Sequence, residues 1–193
     1  MVSANKLFAG AAFTLGIIIA VCQYGTSYAT QQQSSSIGGA PITVSITTGG
    51  GTFGAPRDRY RVGERVPVVI SMMNNSDEPA QLCDSDSVYQ DRPKLLKDGQ
   101  LLPYLVDQTQ ILGSIKSDRA CLELNMPEPV SLKPKESRVV DWFILADGSE
   151  PTGAMAWYEP LRPGKYQLSI ERRLGCCDGP MLPSNKINFE VVP

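Results

Sequence analysis

The chain has 193 residues, of which 42% are hydrophobic and 20% charged, with a net charge of −2. That balance supplies a core and excludes a nucleic-acid binder, which needs a basic block or stripe. There is no histidine, which removes Ser-His-Asp and Cys-His nucleophile pairs and imidazole metal sites.

The chain opens like an export signal. Lys6 is the only charge before residue 57, Leu7 to Val21 is apolar, and Ser27-Tyr28-Ala29 places small residues at the −3 and −1 positions of a cleavage site. The apolar run falls short of the ~20 residues of a comfortable span, so no stable membrane span is expected after cleavage. An uncleaved anchor is the alternative. A lipobox at Ile19-Ala20-Val21-Cys22 is disfavoured by the bulk of Val21. The expected organisation is a signal peptide over 1–29, a polar tether over 30–41 (TQQQSSSIGGAP) and one domain over 42–193. The leader holds one Lys and no acid, so the mature domain is slightly more acidic than the whole chain.

Ile42 to Thr47 alternates and reads as the first strand. Thr48 to Arg59 is a glycine-rich loop whose Gly-Gly-Gly lacks the spacing of a phosphate-binding turn, so no cofactor is expected. Tyr60 to Glu64 reads as a turn. Arg65 to Met73 is the second strand, with Val66, Val68, Ile70 and Met72 on one face and Pro67 marking an edge or bulge. Ala80 to Val88 carries Cys83. Pro93–Lys97, Asp98-Gly99 and Gln100–Leu105 form a hairpin, because Asp-Gly is a strong two-residue turn. This hairpin lies in an insert near 91–121. Val106 to Arg119 has mixed periodicity and reads as either a loop or one short helix.

Cys121 to Leu124 is a short strand. Arg138 to Leu145 is another, with Val140, Trp142 and Ile144 assigned inward. Pro163-Gly164 makes a tight turn into Tyr166–Ile170, where Tyr166, Leu168 and Ile170 alternate with polar residues. A Tyr at such a corner packs its ring inward and returns its hydroxyl to the turn backbone. Lys186 to Val192 is the last strand, with Ile187 and Phe189 inward. Seven or eight short strands and no clear helix make an all-β, antiparallel sandwich.

Three segments resemble bacterial Ig-like or fibronectin-III-like domains: Tyr60–Glu64 leading into a strand and Asn74-Asn75-Ser76, then Leu132–Ser137, then Leu161–Tyr166. The layout is similar to that of BsuPI-type proteinase-inhibitor domains. The resemblance implies an Ig-like β-sandwich and transfers no functional residue. Five cysteines are present, and Cys22 leaves with the leader. The other four, Cys83, Cys121, Cys176 and Cys177, read as a disulfide framework in an exported chain. An Ig-like order brings the region after the second strand and the loop before the last strand to one end. It therefore implies that Cys83 and Cys121 each bridge to one member of Cys176-Cys177, with Cys83–Cys121 as the rival.

Four groups are candidate sites. Asp84, Asp86 and Asp91 could gather around Ca²⁺, against a plain solvated acidic loop; the EF-hand spacing fails at Val88. Cys176-Cys177 is a soft-metal or redox pair, or two separate bridges. Trp157 and Tyr158 form an exposed aromatic contact patch, or else cover the open end of the core. Met181 and Leu182 sit in a constrained loop over 174–183 that a protease inhibitor would present. No two carboxylates have a spacing that singles out an acid–base pair, so an enzyme is not expected. The reading is a non-catalytic binding module, periplasmic or extracellular, with a protein or cell-envelope component as partner. The alternatives are a protease inhibitor and a structural accessory of the envelope.

Overall fold

The computed structural model describes residues 41–115, 128–147, 156–175 and 179–193. The expected leader and tether, Cys121 with its short strand, and Cys176-Cys177 lie outside those residues. In chain order the strands are β1 (Ile42–Thr48), β2 (Arg59–Arg61), β3 (Val66–Asn74), β4 (Ala80–Asp84), β5 (Asp91–Lys97), β6 (Gln100–Leu101), β7 (Glu128–Leu132), β8 (Ser137–Ala146), β9 (Gly164–Arg173), β10 (Met181–Pro183) and β11 (Ile187–Val192). Among the described residues two α-helices, α1 (Ser87–Gln90) and α2 (Val106–Ser114), and a short 3-10 turn at Gly51–Phe53 join them.

One sheet has the order β1-β3-β8, and the other runs β2-β11-β9-β5-β6 with β10 beside β9. β4 and β7 form a separate ribbon. All pairs are antiparallel except β2 with β11. The strand count exceeds the expected seven or eight because β2, β6 and β10 are two or three residues long and carry no periodicity of their own.

Alternation drives the layering. Val44, Ile46, Val68 and Ile70 from one sheet share a core with Leu95, Leu168, Ile170, Phe189 and Val191 from the other. Each large aliphatic side chain buried there contributes about 1.5–3 kcal/mol. At the corner Tyr166 stacks on Phe189 at 5.2 Å, and its hydroxyl donates to the Arg162 carbonyl at 2.7 Å. Gly164 beside it has a φ of +153°, a backbone conformation that side-chain-bearing residues rarely adopt. In the β5–β6 hairpin Asp98 and Gly99 have φ of 49° and 83°, the left-handed pair that a two-residue turn needs.

Two strand edges are blunted by side chains. On β1, Ile46 N–H donates to Asn185 Oδ1 at 2.7 Å, and Asn185 Nδ2 donates back to the Ile46 carbonyl at 3.2 Å. On β5, Pro93 has no N–H, and its carbonyl accepts from the Tyr158 and Tyr104 hydroxyls at 2.8 and 2.9 Å. The Tyr158 oxygen in turn accepts Leu95 N–H at 3.2 Å.

Several expectations are corrected. Tyr60 belongs to β2 and is buried, not part of a turn. Of the two readings left open for Val106 to Arg119, the short helix holds over Val106–Ser114; Asp107 in its first turn suits the helix dipole, and no proline interrupts it. The expected hairpin over 93–105 is present as β5 and β6, and β5 also pairs with β9. Trp142 is half exposed rather than in the core. The register of β8 against β3 skips at Val140 and at Leu145, and such bulges reverse the phase of alternation. Trp142 thereby pairs with outward Val69, while Phe143 and Asp141 take the inward positions opposite Val68 and Ile70.

Candidate functional site

Three strands carry a charge at a position in phase with their buried residues. On β9, Tyr166, Leu168 and Ile170 are followed in phase by Arg172; on β5, Asp91 is in phase with Leu95. Asp91 and Arg172 are direct cross-strand partners. Arg172 is 1% exposed, and its Nη1 donates to Asp91 Oδ2 at 2.7 Å and to Asp141 Oδ2 on β8 at 3.3 Å. Its Nη2 donates to Gln90 Oε1 at 2.7 Å and lies 3.6 Å from Asp84 Oδ1 on β4. One guanidinium thus ties the ribbon, α1 and both large sheets together.

Burial pushes the Asp91 carboxyl up to about 7, against the pull of Arg172. Burial likewise raises Asp141, again opposed by Arg172. Asp91 Oδ1 and Arg172 Nε have no partner among the described residues. Gln90 extends the network: its Nε2 donates to the carbonyls of Cys83, Arg173 and Gly175 at 2.8, 3.3 and 3.5 Å.

A second feature lies on the outer face of β1-β3-β8. Trp142 is 50% and Val139 54% exposed, and Met73 is exposed beside them. Phe53 meets the Trp142 ring edge-on at 4.9 Å and steadies the indole. Thr43, Ser45, Thr47 and Ser71 complete the rows. Among the described strand positions, the register therefore gives this face hydroxyl and apolar side chains without a formal charge. An open cleft of about 630 Å³ on the other sheet is different in kind: it is lined by mixed charges such as Arg59, Lys165, Asp98 and Glu190.

The three carboxylates of the acidic loop do not converge on one point. Asp91 points inward onto Arg172, Asp84 lies at its rim, and Asp86 remains exposed at the start of α1. Trp157 and Tyr158 are buried at 1% and 2% exposure and cannot offer an exposed patch. Their backbone N–H groups donate to the Leu145 carbonyl, and Tyr104 packs on both rings at 5.3 and 5.5 Å. Met181 and Leu182 are half buried, and Met181–Pro183 pairs with Glu171–Arg173 as β10 rather than projecting as a loop. Cys83 is buried and disulfide-bonded.

Sequence reasoning missed Arg172, Gln90 and Asp141. The signal available for Arg172 was its place two residues after Ile170 in an unbroken alternation. For Gln90 there was none.

No family model and no curated protein matches the chain. Among solved structures it is similar to the CARDB domain of a Pyrococcus furiosus protein in complex with di-metal ions, at 14% identity and TM-score 0.33, covering 78% of this chain and 87% of that one. It is also similar to β-glucosidase from Listeria innocua. With glucose, that match has 13% identity, TM-score 0.33, and 78% of this chain on 16% of the enzyme. A mutant with laminaribiose matches at 12% identity, TM-score 0.35, and 89% on 20%. Likenesses this distant carry no functional argument for this chain.

Proposed function

We propose that the protein is an exported, non-catalytic binding module whose contact surface is the outer face of β1-β3-β8, centred on Trp142. The observation that carries this reading is the half-exposed indole on a face without formal charges. Tryptophan is enriched where surfaces are desolvated on association, and it loses little side-chain entropy when covered. The other tryptophan, Trp157, is spent on the core. The buried carboxylates are engaged by Arg172, which favours a structural use over acid–base chemistry. Export rests on the Lys6, apolar-run and Ser27-Tyr28-Ala29 series.

The test is saturable binding of labelled protein to isolated envelopes of the producing cell. Trp142→Ala abolishes it, and Val62→Ala, at an exposed valine outside this face, leaves it intact. Equal binding by Trp142→Ala overturns the reading. A protease-inhibitor role built on 174–183 would instead show as inhibition in a protease panel that Leu182→Asp relieves.

A further inference from the structure

The chain has no histidine, so no side chain with an ordinary midpoint titrates between about pH 5 and 8. Yet the junction of the sheets holds an excess of negative charge. Asp84 from β4, Asp91 from β5 and Asp141 from β8 surround one guanidinium, Arg172 of β9, and α1 adds only the neutral Gln90. Arg92, next along β5, turns its Nη1 to the carbonyls of Val88 and Asp91 and does not reach the carboxylates as a partner. Arg173 follows Arg172 in the opposite strand phase. With all three acids ionised, Arg172 is the one cation paired with them among the described residues, Arg92 pulling on Asp91 only from a distance, and Asp91 has no access to water. Burial therefore opposes ionisation of Asp91, and the neighbouring Asp141 charge opposes it further.

We propose that the Arg172 cluster is a proton-responsive tie, which takes up a proton as the medium acidifies through the neutral range and holds the three sheets together more tightly in that state. Asp91 Oδ1, buried and without a partner among the described residues, is the oxygen available for the proton. The direction of the effect follows from linkage. Burial lifts the folded Asp91 carboxyl to about 7, while the unfolded chain binds the proton only near 3.8. The folded form binds it more tightly, so the added stability is full below the unfolded value and is lost as pH rises through about 7. Asp141 shifts in the same direction. It also accepts Trp142 N–H on Oδ1 at 2.7 Å, so the charge state is felt one residue from the exposed indole.

The experiment is thermal unfolding of the protein, disulfides intact, at about pH 5.5 and about pH 8.5. The expected midpoint is several degrees lower at the higher pH. Asp91→Asn removes most of the difference, whereas Asp58→Asn, at an exposed acid, keeps it. A midpoint that is unchanged or higher at the alkaline end overturns the proposal, as does an Asp91→Asn protein that retains the whole difference. If Asp91→Asn does not fold, a ¹³C titration of the wild-type aspartate carboxyls decides. One carboxyl with a midpoint between about pH 6 and 8 supports the tie, and midpoints all below about pH 5 overturn it.

Discussion

Asp91 stands directly opposite Arg172 in the register of β5 and β9, with its Oδ2 accepting the Nη1 hydrogen at 2.7 Å. Both side chains are buried, so neither has water to fall back on. Arg172→Met keeps the bulk of the stem and removes the charge, leaving three carboxylates around an apolar tip. The expected cost is about 3–5 kcal/mol, the range for stranding one side of a buried ion pair. Urea unfolding at neutral pH measures it. A loss below about 1 kcal/mol would mean that water reaches the site and the tie is weak.

The two tyrosine hydroxyls have unequal duties. Tyr166 donates one bond, to the Arg162 carbonyl at the corner. Tyr158 donates to Pro93 and accepts from Leu95, in a buried setting that raises its phenol well above the ordinary range. Tyr166→Phe should cost about 1 kcal/mol, the worth of a typical hydrogen bond. Tyr158→Phe strands Leu95 N–H inside the protein and should cost about 1–3 kcal/mol. Chemical unfolding of the pair gives the order, and an equal or reversed order would contradict the capping role of Tyr158 at the β5 edge.

Replacing Leu168 and Trp142 by alanine separates the two faces of the sandwich. Leu168 is fully buried, and Leu168→Ala should cost about 2–5 kcal/mol through lost transfer energy and the cavity left behind. Trp142 is larger but half exposed, and its ring contact is with Phe53. Trp142→Ala should cost less than Leu168→Ala despite deleting more atoms. Should the tryptophan variant prove the more destabilised, the outward register of β8 is wrong.

The fold was legible where alternation runs unbroken. Tyr166, Leu168 and Ile170 could be assigned inward from their spacing, and the Asp98-Gly99 turn from its chemistry. The same rule failed on β8 for a reason that alternation cannot contain. Counting by twos from Val140 puts Trp142 inside and Asp141 outside, but a bulge at Val140 reverses the phase. A buried Asp141 also looks wrong until Arg172 is known to meet it. Burial of these charges depends on strands 31 to 81 residues apart in sequence meeting at one guanidinium, and no local pattern reports that meeting. For Trp157 and Tyr158 the sequence left an exposed patch and a core cover both open, and burial selects the core cover. Their ring contacts come from Tyr104 and Phe143, on other segments of the chain.

The disulfides follow from the position of Cys83. Its N–H donates to the Leu174 carbonyl at 3.2 Å, and Gln90 Nε2 bridges its carbonyl to those of Arg173 and Gly175. Cys83 therefore lies beside the backbone that leads into Cys176. A bridge to Cys176 or Cys177 needs only the next one or two residues to turn toward it, whereas Cys121 lies seven residues before β7. Adjacent cysteines are poorly placed to bridge each other, because neighbouring Cα atoms stand ~3.8 Å apart and disulfides prefer ~4.4–6.8 Å. Non-reducing peptide mapping should thus recover Cys83 joined to the Cys176-Cys177 peptide, with Cys121 joined to the same peptide. Closing so long a loop contributes roughly 4 kcal/mol in the chain-entropy model, so Cys83→Ser should lower stability by about that amount. A Cys83–Cys121 peptide in the map would break this pairing and return Cys176 and Cys177 to a redox or metal role.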